Sequence, residues 1–319
     1  MILIMSEEND QSTNDVIDWI DFFKFKFVRI NPNDVISDIQ INDFNCTFRV
    51  KDRLIDTKSI KSFWYRRGNL NLLTTALRED AFPVSRCINE HLKKENLALG
   101  DFILKVLHTK NPLGSYFKTD VNKLETLKKA KEVGLTIPKT IVTTSKNSLR
   151  EFINENGSVV TKPSSDVLFD VGNDVSVISY TKRIRLNHLD DLDEFFSSSL
   201  FQAEIEKSYE LRIFFIEECF YSMAIFSQLD PQTSVDFRVY NRARPNRCVP
   251  YTTPWVVAQK LKSLMKLLNF NTGSIDMIVT PENDHIFLEV NPVGQFEMVS
   301  FPCNYNLSKR IAKRLCLTE

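Results

Sequence analysis

One segment near the C-terminus, residues 274–292, constrains the fold of this chain more than any other part of its sequence. Two strand-like runs flank a Pro-Glu-Asn-Asp turn signal at 281–284. The pattern predicts a β-hairpin. Because side chains alternate along a strand, Phe287, Glu289 and Asn291 are predicted to point to one face of it.

The predicted hairpin brings two carboxylates together. With residues 281–284 as the loop, Thr280 faces His285, and counting back places Asp276 opposite Glu289. Two carboxylates facing each other across a ladder repel, so a cation between them would explain the pairing. Carboxylate and amide oxygens suit Mg²⁺, which makes Asp276, Glu289 and Asn291 a candidate metal site. The alternative is an exposed hairpin whose acidic side chains point to solvent.

Length and composition set outer limits. The chain has 319 residues, enough for two or three domains, and its 41 basic and 41 acidic residues leave no net charge to attract nucleic acid or an anionic membrane. No apolar run is long enough to span a bilayer, and the apolar start at residues 1–5 is too short for a signal-peptide core. The 6 cysteines are scattered without a zinc-binding spacing, so we expect reduced thiols and a cytoplasmic location.

The first hundred residues have the pattern of a small α/β domain. Strand-like runs at 2–5, 25–30, 46–50 and 62–65 accompany helical patterns at 15–23 and 90–107. Arg66 and Arg67 follow a predicted strand, where paired guanidinium groups suit a carboxylate or a phosphate. The alternative is a charged, solvated loop.

The middle of the chain contains a candidate phosphate-binding lysine. Breaker residues at 108–114 mark a boundary, after which Asp120 is a candidate N-cap for the next helix. Lys162 ends an apolar strand, where an ammonium group is costly unless it meets an anion; the alternative is a lysine that extends to solvent. The polar loop that follows, 164–174, contains one glycine, and the sequence has no P-loop or dinucleotide-binding motif.

The last third is predicted to be rich in strands. Runs at 209–216 and 219–226 predict a hairpin across Glu217-Glu218, with Arg212 and Glu210 on one face. Residues 235–240 alternate as well, which predicts a strand with Asp236 and Arg238 on one face. Arg242 and Arg244 extend this basic stretch. The alternative for these arginines is a lattice of weak surface ion pairs.

Taken in order, these motifs resemble the ATP-grasp superfamily. The matching segments are Asn111-Pro112 before a helix with Lys123, Gly134–Thr140, Val160–Pro163, Gln202–Lys207, Glu210–Arg212, Gly273–Asp276 and Leu288–Pro292.

Three further segments resemble one branch of that superfamily. Trp64–Arg67, Val235–Arg238 and the extended tail Glu289–Phe296 look like those of the graspetide synthetases, the microviridin-type peptide maturases. Within that family, the chain most resembles the grasp-with-spasm branch.

The resemblance implies an α+β fold. Two ATP-grasp subdomains, expected at 110–200 and 201–319, would clasp ATP behind an N-terminal Rossmann-like pre-ATP-grasp domain at 1–109. It also implies a reaction that uses ATP and Mg²⁺. A substrate carboxylate becomes an acyl phosphate, and a Ser, Thr or Lys side chain then displaces phosphate to form an ester or an amide. In this family both groups belong to one ribosomally made precursor peptide with a leader and an acidic core, so the product is a macrocycle.

The resemblance also implies roles for individual residues. Lys123 and Lys162 would neutralise phosphate charge, and Arg212 and Arg238 would stabilise the transferring group. The nucleotide would further contact Gln202, Glu204, Ile205 and Glu210, Mg²⁺ would bind Asp276, Glu289 and Asn291, and the peptide would contact Arg66, Arg67, Asp236, Arg242 and Arg244.

Two other functions stay open on the sequence alone. One is a different carboxylate–amine ligase of the same fold, which adds an amino acid to a protein tail or a small molecule. The other is a non-catalytic peptide-binding scaffold, against which the retained acidic and basic motif residues argue. The precursor, the number of rings and whether the chain forms a homodimer are also left open.

Overall fold

The computed structural model describes residues 1–78, 82–119, 121–164, 168–170, 176–178 and 180–317. Within these residues the strands are β1 (Ile2–Met5), β2 (Phe27–Ile30), β3 (Val35–Asn42), β4 (Asn45–Val50), β5 (Arg53–Asp56), β6 (Ser62–Tyr65), β7 (Asn71–Leu72), β8 (Pro112–Leu113), β9 (Thr140–Ser145), β10 (Val159–Lys162), β11 (Leu168–Asp170), β12 (Ser176–Ile178), β13 (Lys182–Ile184), β14 (Phe195–Ala203), β15 (Tyr209–Ile216), β16 (Cys219–Phe226), β17 (Arg247–Tyr251), β18 (Thr272–Val279) and β19 (His285–Asn291). The helices are α1 (Gln11–Phe22), α2 (Ser85–Leu107), α3 (Lys123–Glu132), α4 (Lys146–Asn156), α5 (Trp255–Leu268), α6 (Glu297–Cys303) and α7 (Leu307–Cys316). None of these helices is both long and apolar enough to cross a membrane.

The chain forms two compact units, and the first contains the predicted N-terminal α/β domain. It comprises residues 1–119 together with 306–319. Its first sheet has the order β2-β1-β6-β8, and all its neighbouring strands run parallel. Ile2–Met5 in β1 is buried throughout, as expected for a central strand of a parallel sheet. A second sheet, β5-β4-β3-β7, was only partly indicated by sequence, because β3 and β5 lie in segments with mixed polarity.

Helix α7 joins this first unit, although it ends the chain. Its buried face includes Ile311 and Leu315, and it packs against α1 and β6. The sequence-based division had assigned residues 306–317 to the C-terminal subdomain. Local sequence patterns cannot reveal such a return of the chain, because the apolar stripe of a helix does not identify its partner.

The second unit, residues 120–305, contains two larger antiparallel sheets, and its division into subdomains near residue 200 stays a prediction. One has the order β13-β10-β14-β9 and packs α4 against it through Leu149 and Ile153. The other has the order β17-β16-β15-β18-β19. Helix α5 covers this larger sheet, and α3 joins the same core through Leu127 and Ala130.

Two sequence predictions about the second unit fall wholly or partly on undescribed residues. The candidate cap Asp120 lies outside the described part of the chain, and the helix that it was expected to begin, α3, is capped by Asn122. Most of the polar loop at 164–174 also lies outside it; its described part includes the short strand β11, which pairs with β12.

The hairpin of β18 and β19 places Asp276 opposite Glu289, as predicted, but by a different route. Val279, rather than Thr280, pairs with His285, so the turn is one residue longer than expected. A β-bulge at Leu288 then supplies the extra residue that restores the predicted pairing. Two shifts of one residue therefore cancel.

The same bulge changes which side chains of β19 share a face. Phe287 does not share a face with Glu289: it is fully buried in the core with Val290, whereas Leu288 and Glu289 both line a pocket. Alternation predicts faces only while the ladder is regular, and an inserted residue reverses the side chains beyond it.

The predicted strand at 235–240 is a turn in the structure. The Asp236 carboxylate accepts a hydrogen bond from the Arg238 backbone N–H at 3.0 Å, and Val239 N–H donates to the Asp236 carbonyl at 3.1 Å. Aspartate side chains favour such turns because they bond to the backbone two residues on. Asp236 and Arg238 are therefore adjacent through a turn rather than through strand alternation.

Gly294, just after the acidic strand, is expected to tolerate no side chain. Its φ is +61°, and an added Cβ would lie 3.1 Å from the carbonyl carbon of Gly273 in β18. We expect Gly294→Ala to lower the free energy of unfolding by about 2 kcal/mol, measured by urea denaturation. Gly157→Ala is the matched control, because Gly157 has a φ of +76° but no atom within 4 Å of an added Cβ. Equal losses in the two variants would show that the close approach does not matter.

Candidate functional site

A pocket of about 400 Å³ lies in the second unit, where the loops and strand ends of its two antiparallel sheets face each other. This volume is in the range of small-ligand sites. Ten of the residues singled out from the sequence line it, namely Lys123, Lys162, Gln202, Glu204, Ile205, Glu210, Asp236, Arg238, Asp276 and Glu289. The structure thus brings together residues that are spread over more than half of the chain.

The carboxylate pair is held between arginine and lysine side chains. Arg212, on the neighbouring strand β15, donates from Nη1 to both oxygens of Asp276, at 2.8 and 2.6 Å. Burial raises the pKa of the Asp276 carboxyl, and the adjacent Glu289 charge adds to this, against the opposing effect of Arg212. A second cation at Asp276 would offset that repulsion.

Arg212 retains an unused donor. Its side chain is only 8% exposed, and its Nε has no hydrogen-bond partner among the described residues. Buried donors are nearly always satisfied, so an unpaired one beside a pocket indicates a missing partner with acceptor atoms. The sequence placed Arg212 at this site but did not predict its ion pair with Asp276.

Two lysines approach the other carboxylate. The Nζ atoms of Lys123 and Lys162 lie 3.5 and 4.0 Å from Oε2 of Glu289. Burial alone would raise the pKa of the Glu289 carboxyl, but the two ammonium groups outweigh it and its pKa lies below the usual value. Burial lowers the pKa of Lys162, and Glu289 opposes that shift. Lys162 is therefore a buried ammonium with an ionic partner rather than a lysine that extends to solvent.

Arg238 is clamped by its neighbour in the turn. Its Nε and Nη2 donate to the two oxygens of Asp236 at 2.8 and 2.6 Å, while Nη1 takes no part in the pair. Burial alone would raise the pKa of Asp236, but the guanidinium outweighs it and the pKa is lowered. Asp236 also accepts a bond from the Thr181 backbone N–H at 3.0 Å. The clamp fixes the guanidinium plane and leaves one of its nitrogen atoms for a ligand.

A third group of side chains lies at the β14 end of the pocket. Arg183 forms a two-point ion pair with Glu204, which also accepts a bond from Ser158 Oγ at 2.6 Å. Gln202 is buried and donates from Nε2 to Thr140 Oγ1 at 3.0 Å. The backbone N–H of Glu204 donates to the Ser158 carbonyl at 2.9 Å, and both Glu204 and Ile205 line the pocket.

Lys207 and Arg183 are pocket residues that the sequence did not single out. Lys207 is 6% exposed and donates from Nζ to Oε1 of Glu210 at 2.6 Å. Burial raises the pKa of Glu210, against the effect of Lys207. The sequence signals for Lys207 were its place at the end of the matching segment Gln202–Lys207 and its spacing of three residues before Glu210. A lysine is not expected to be this buried without a partner.

Six predicted residues do not line this pocket, and one of them, Arg212, is connected to it through its ion pair with Asp276. Asn291 is exposed, and its Oδ1 accepts hydrogen bonds from the backbone N–H groups of Val293 and Gly294 at 3.0 and 3.3 Å. The others are Arg242 and Arg244, which are exposed, and Arg66 and Arg67, which lie in the first unit.

The arginine pair of the first unit has a partner of its own. Arg66 is buried and donates from Nε to Asp10 at 3.2 Å and from Nη2 to Ser12 at 3.1 Å. Arg67 lies 3.7 Å from the same carboxylate. Asp10 is also the N-cap of α1, so the pair links a strand end to a helix start.

Comparison with known proteins identifies the architecture. The chain matches no known family profile and no curated protein. Among solved structures, the macrocyclase MdnC bound with precursor peptide MdnA, from Microcystis aeruginosa MRC, shares 26% identity with a TM-score of 0.77, over 99% of both chains. The Chryseobacterium gregarium RiPP-associated ATP-grasp ligase, in complex with ADP and a leader and core peptide, shares 26% identity with a TM-score of 0.81, over 99% of this chain and 96% of that one.

A third structure shows the same fold at greater sequence distance. The ATP-grasp ligase PsnB, complexed with a variant of its minimal precursor, Mg and ADP, shares 14% identity with a TM-score of 0.71, over 99% of this chain and 97% of that one. The chain therefore has the α+β ATP-grasp fold, and over 99% of its length it is structurally similar to ATP-grasp ligases.

Proposed function

We propose that this protein is an ATP-dependent peptide macrocyclase. It would activate Asp or Glu side chains of a ribosomally made precursor peptide and join them to Ser or Thr as esters, or to Lys as amides. The observation that carries the proposal is the position of Arg238. Its clamped guanidinium, whose Nη1 has no hydrogen-bond partner among the described residues, lines the same pocket as the carboxylate pair and the two lysines. The assignment to the grasp-with-spasm branch stays a prediction.

The nucleotide would occupy the pocket with its phosphates at the lysine end. Lys123 and Lys162 now face Glu289, and phosphate oxygens would replace that carboxylate as their partner. The adenine would meet the backbone of residues 204–205, whose neighbouring side chains Gln202 and Glu204 already have partners. Glu210 accepts from Lys207 and Ser227 through Oε1, so its Oε2 could accept from the nucleotide.

Mg²⁺ fits the carboxylate pair. Within the described residues, no group of three or more His, Cys, Asp or Glu side chains could hold a metal by itself. Two facing carboxylates are nonetheless a sufficient protein contribution, because Mg²⁺ usually binds one or two carboxylates together with substrate phosphates. Asp276 and Glu289 would hold the ion, which would polarise the phosphate oxygens. Asn291 stays a candidate third ligand, although its Oδ1 is bonded to the backbone.

The residues then support a two-step reaction. A peptide carboxylate, oriented by Arg238, attacks the γ-phosphorus of ATP; a P–O bond breaks and ADP leaves, so the carboxylate becomes an acyl phosphate. A hydroxyl or amine of the same peptide attacks the acyl carbon, loses its proton and expels phosphate. Arg212 and the two lysines would stabilise the charge of the transferring phosphoryl group. The peptide loses one water per ring, and ATP is converted to ADP and phosphate.

Mass spectrometry tests the proposal directly. A cognate acidic peptide, incubated with the protein, ATP and Mg²⁺, is expected to lose one water mass per ring formed. A gain of an amino acid, without water loss, would instead assign the protein to ligases that extend a protein tail or a small molecule. We still predict that such a peptide contacts Arg66, Arg67, Arg242 and Arg244.

Lys162 is expected to account for most of the nucleotide affinity. A ligand that binds only the folded state raises its apparent stability, so Mg-ATP is expected to raise the melting temperature of the protein. Lys162→Ala should lose most of that shift, because the buried ammonium is a principal phosphate partner. Lys182→Ala is the control, since Lys182 is exposed on β13 and does not line the pocket. An unchanged melting temperature of the wild-type protein at millimolar Mg-ATP would instead favour a non-catalytic scaffold.

A further inference from the structure

A single buried ion pair fixes both ends of the segment that leads to Arg238. Segment 227–235 follows β16 and runs into the Asp236–Arg238 turn. At its start, Ser227 Oγ donates to Oε1 of Glu210 at 2.7 Å. At its end, the Val235 carbonyl accepts from Nζ of Lys207 at 3.3 Å, and the same Nζ donates to Glu210 at 2.6 Å. Lys207 and Glu210 thus hold both ends.

The interior of the segment is bonded to itself and to the stretch before β17, where Asn241 Nδ2 donates to Asp230 at 2.6 Å and Asn246 Oδ1 lies 3.0 Å from Thr233 Oγ1. Thr233 is fully buried and donates from Oγ1 to the Ser227 carbonyl at 2.8 Å, while Gln228 Nε2 donates to the Ser234 carbonyl at 3.0 Å. Bonds within a loop fix its shape but not its position on the sheet. Two side chains bond this segment to β15 and to the residues that precede β15 within the described part of the chain. They are Lys207 and Glu210.

The position of Val235 matters because Asp236 and Arg238 follow at once. Arg238 is oriented by Asp236, so a shift of the backbone at Val235 moves the guanidinium within the pocket. Substrate-positioning groups are sensitive to displacements of about 1 Å. The ammonium of Lys207 balances the buried Glu210 carboxylate, and its bond to the Val235 carbonyl makes the same charge hold the end of the segment.

We propose that Lys207 is a positioning residue, which holds the Arg238 turn in place for the carboxylate of the acidic peptide. The peptide part of this inference rests on the proposed function. Lys207 itself lines the pocket, so the competing role is direct contact with the nucleotide. The two roles predict different kinetic effects: positioning raises the KM for the peptide, whereas nucleotide contact raises the KM for ATP.

The test uses Lys207→Met in the full-length protein, with Lys146→Met as the matched control. Lys146 also donates to a backbone carbonyl, that of Leu192 at 2.8 Å, but it does not line the pocket. We expect Lys207→Met to raise the peptide KM about tenfold, the effect of losing one hydrogen bond from a charged donor, while the KM for ATP stays unchanged. Lys146→Met should change neither. A loss of ATP affinity that matches the loss for peptide would overturn the proposal.

Ser227→Ala provides a second variant that leaves the buried ion pair intact. It removes only the bond at the start of the segment, so it is expected to fold and to raise the peptide KM in the same direction, by a smaller factor. If both variants fold and neither changes the peptide KM, the proposal is wrong.

Hydrogen exchange supplies a readout that needs no turnover. The amide hydrogens of Thr233 and Val239 bond within the loop, to the carbonyls of Asp230 and Asp236. They should exchange faster in Lys207→Met and Ser227→Ala than in the wild-type protein or in Lys146→Met. If no acidic peptide loses water with the wild-type protein, the macrocyclase proposal fails, and exchange still decides whether Lys207 holds the turn. Unchanged exchange in both variants would refute that role.

Discussion

Replacing Asp276 by Asn, or Glu289 by Gln, is expected to abolish turnover in a protein that remains folded. Each change removes one negative charge from the proposed metal site, and metal ions contribute several kcal/mol to the stabilisation of a transition state. A loss of about 4 kcal/mol corresponds to a fall of about a thousandfold in kcat. The measurements are ATP hydrolysis and the mass of the peptide product.

The structure indicates why these variants should fold. An amide at position 276 keeps an oxygen that can accept from Arg212 Nη1, which now bonds both carboxylate oxygens. At position 289, the two lysines lie 3.5 and 4.0 Å away, at the pocket rather than in an apolar core. Thermal denaturation checks this expectation. Asp284→Asn is the matched control, because Asp284 is an exposed acid in the turn of the same hairpin. Near-normal hydrolysis and product formation in both site variants would exclude the metal assignment.

Arg238→Ala is expected to stop the loss of water from the peptide while Mg-ATP binding stays largely intact. The guanidinium is held by Asp236 through Nε and Nη2, so Nη1 is the part that can orient a carboxylate. Removing such an orienting contact is expected to slow ring formation by about a hundredfold or more, because misplacement by 1 Å can have that effect. Mass spectrometry of the peptide and the Mg-ATP thermal shift are the two measurements.

Two further variants sharpen this prediction. Arg238→Lys keeps the charge but loses the two-point clamp, so it should recover only part of the activity. Arg247→Ala should retain it, because Arg247 belongs to the same basic stretch but packs over the Phe226 ring, 5.3 Å from its centroid, and does not line the pocket. Water loss at the wild-type rate in Arg238→Ala would refute the assignment, and a parallel loss of Mg-ATP binding would move Arg238 to the nucleotide site.

Local sequence patterns determined much of the second unit. The alternating runs on either side of Glu217-Glu218 predicted the β15–β16 hairpin, and the structure pairs Ile216 with Cys219 across that turn. The ordered motifs predicted the ATP-grasp fold, and the acidic hairpin predicted that Asp276 faces Glu289. The two hairpins follow from the strand period of two residues and from turn chemistry, which are properties of neighbouring residues, whereas the fold was implied by the resemblance of the ordered motifs.

Tertiary structure decided how those elements are used. The bulge at Leu288 sent Phe287 into the core, and the carboxylate of Asp236 turned a predicted strand into the turn that presents Arg238. It also decided that Asp276 is paired with Arg212 and that Lys207 is buried against Glu210. The Asp236 turn is a local side-chain bond that alternation does not record, and the other outcomes depend on contacts between elements or on the desolvation of a charge. The sequence by itself determined which side chains are available for the site, whereas the packed sheets decided their partners, orientation and burial.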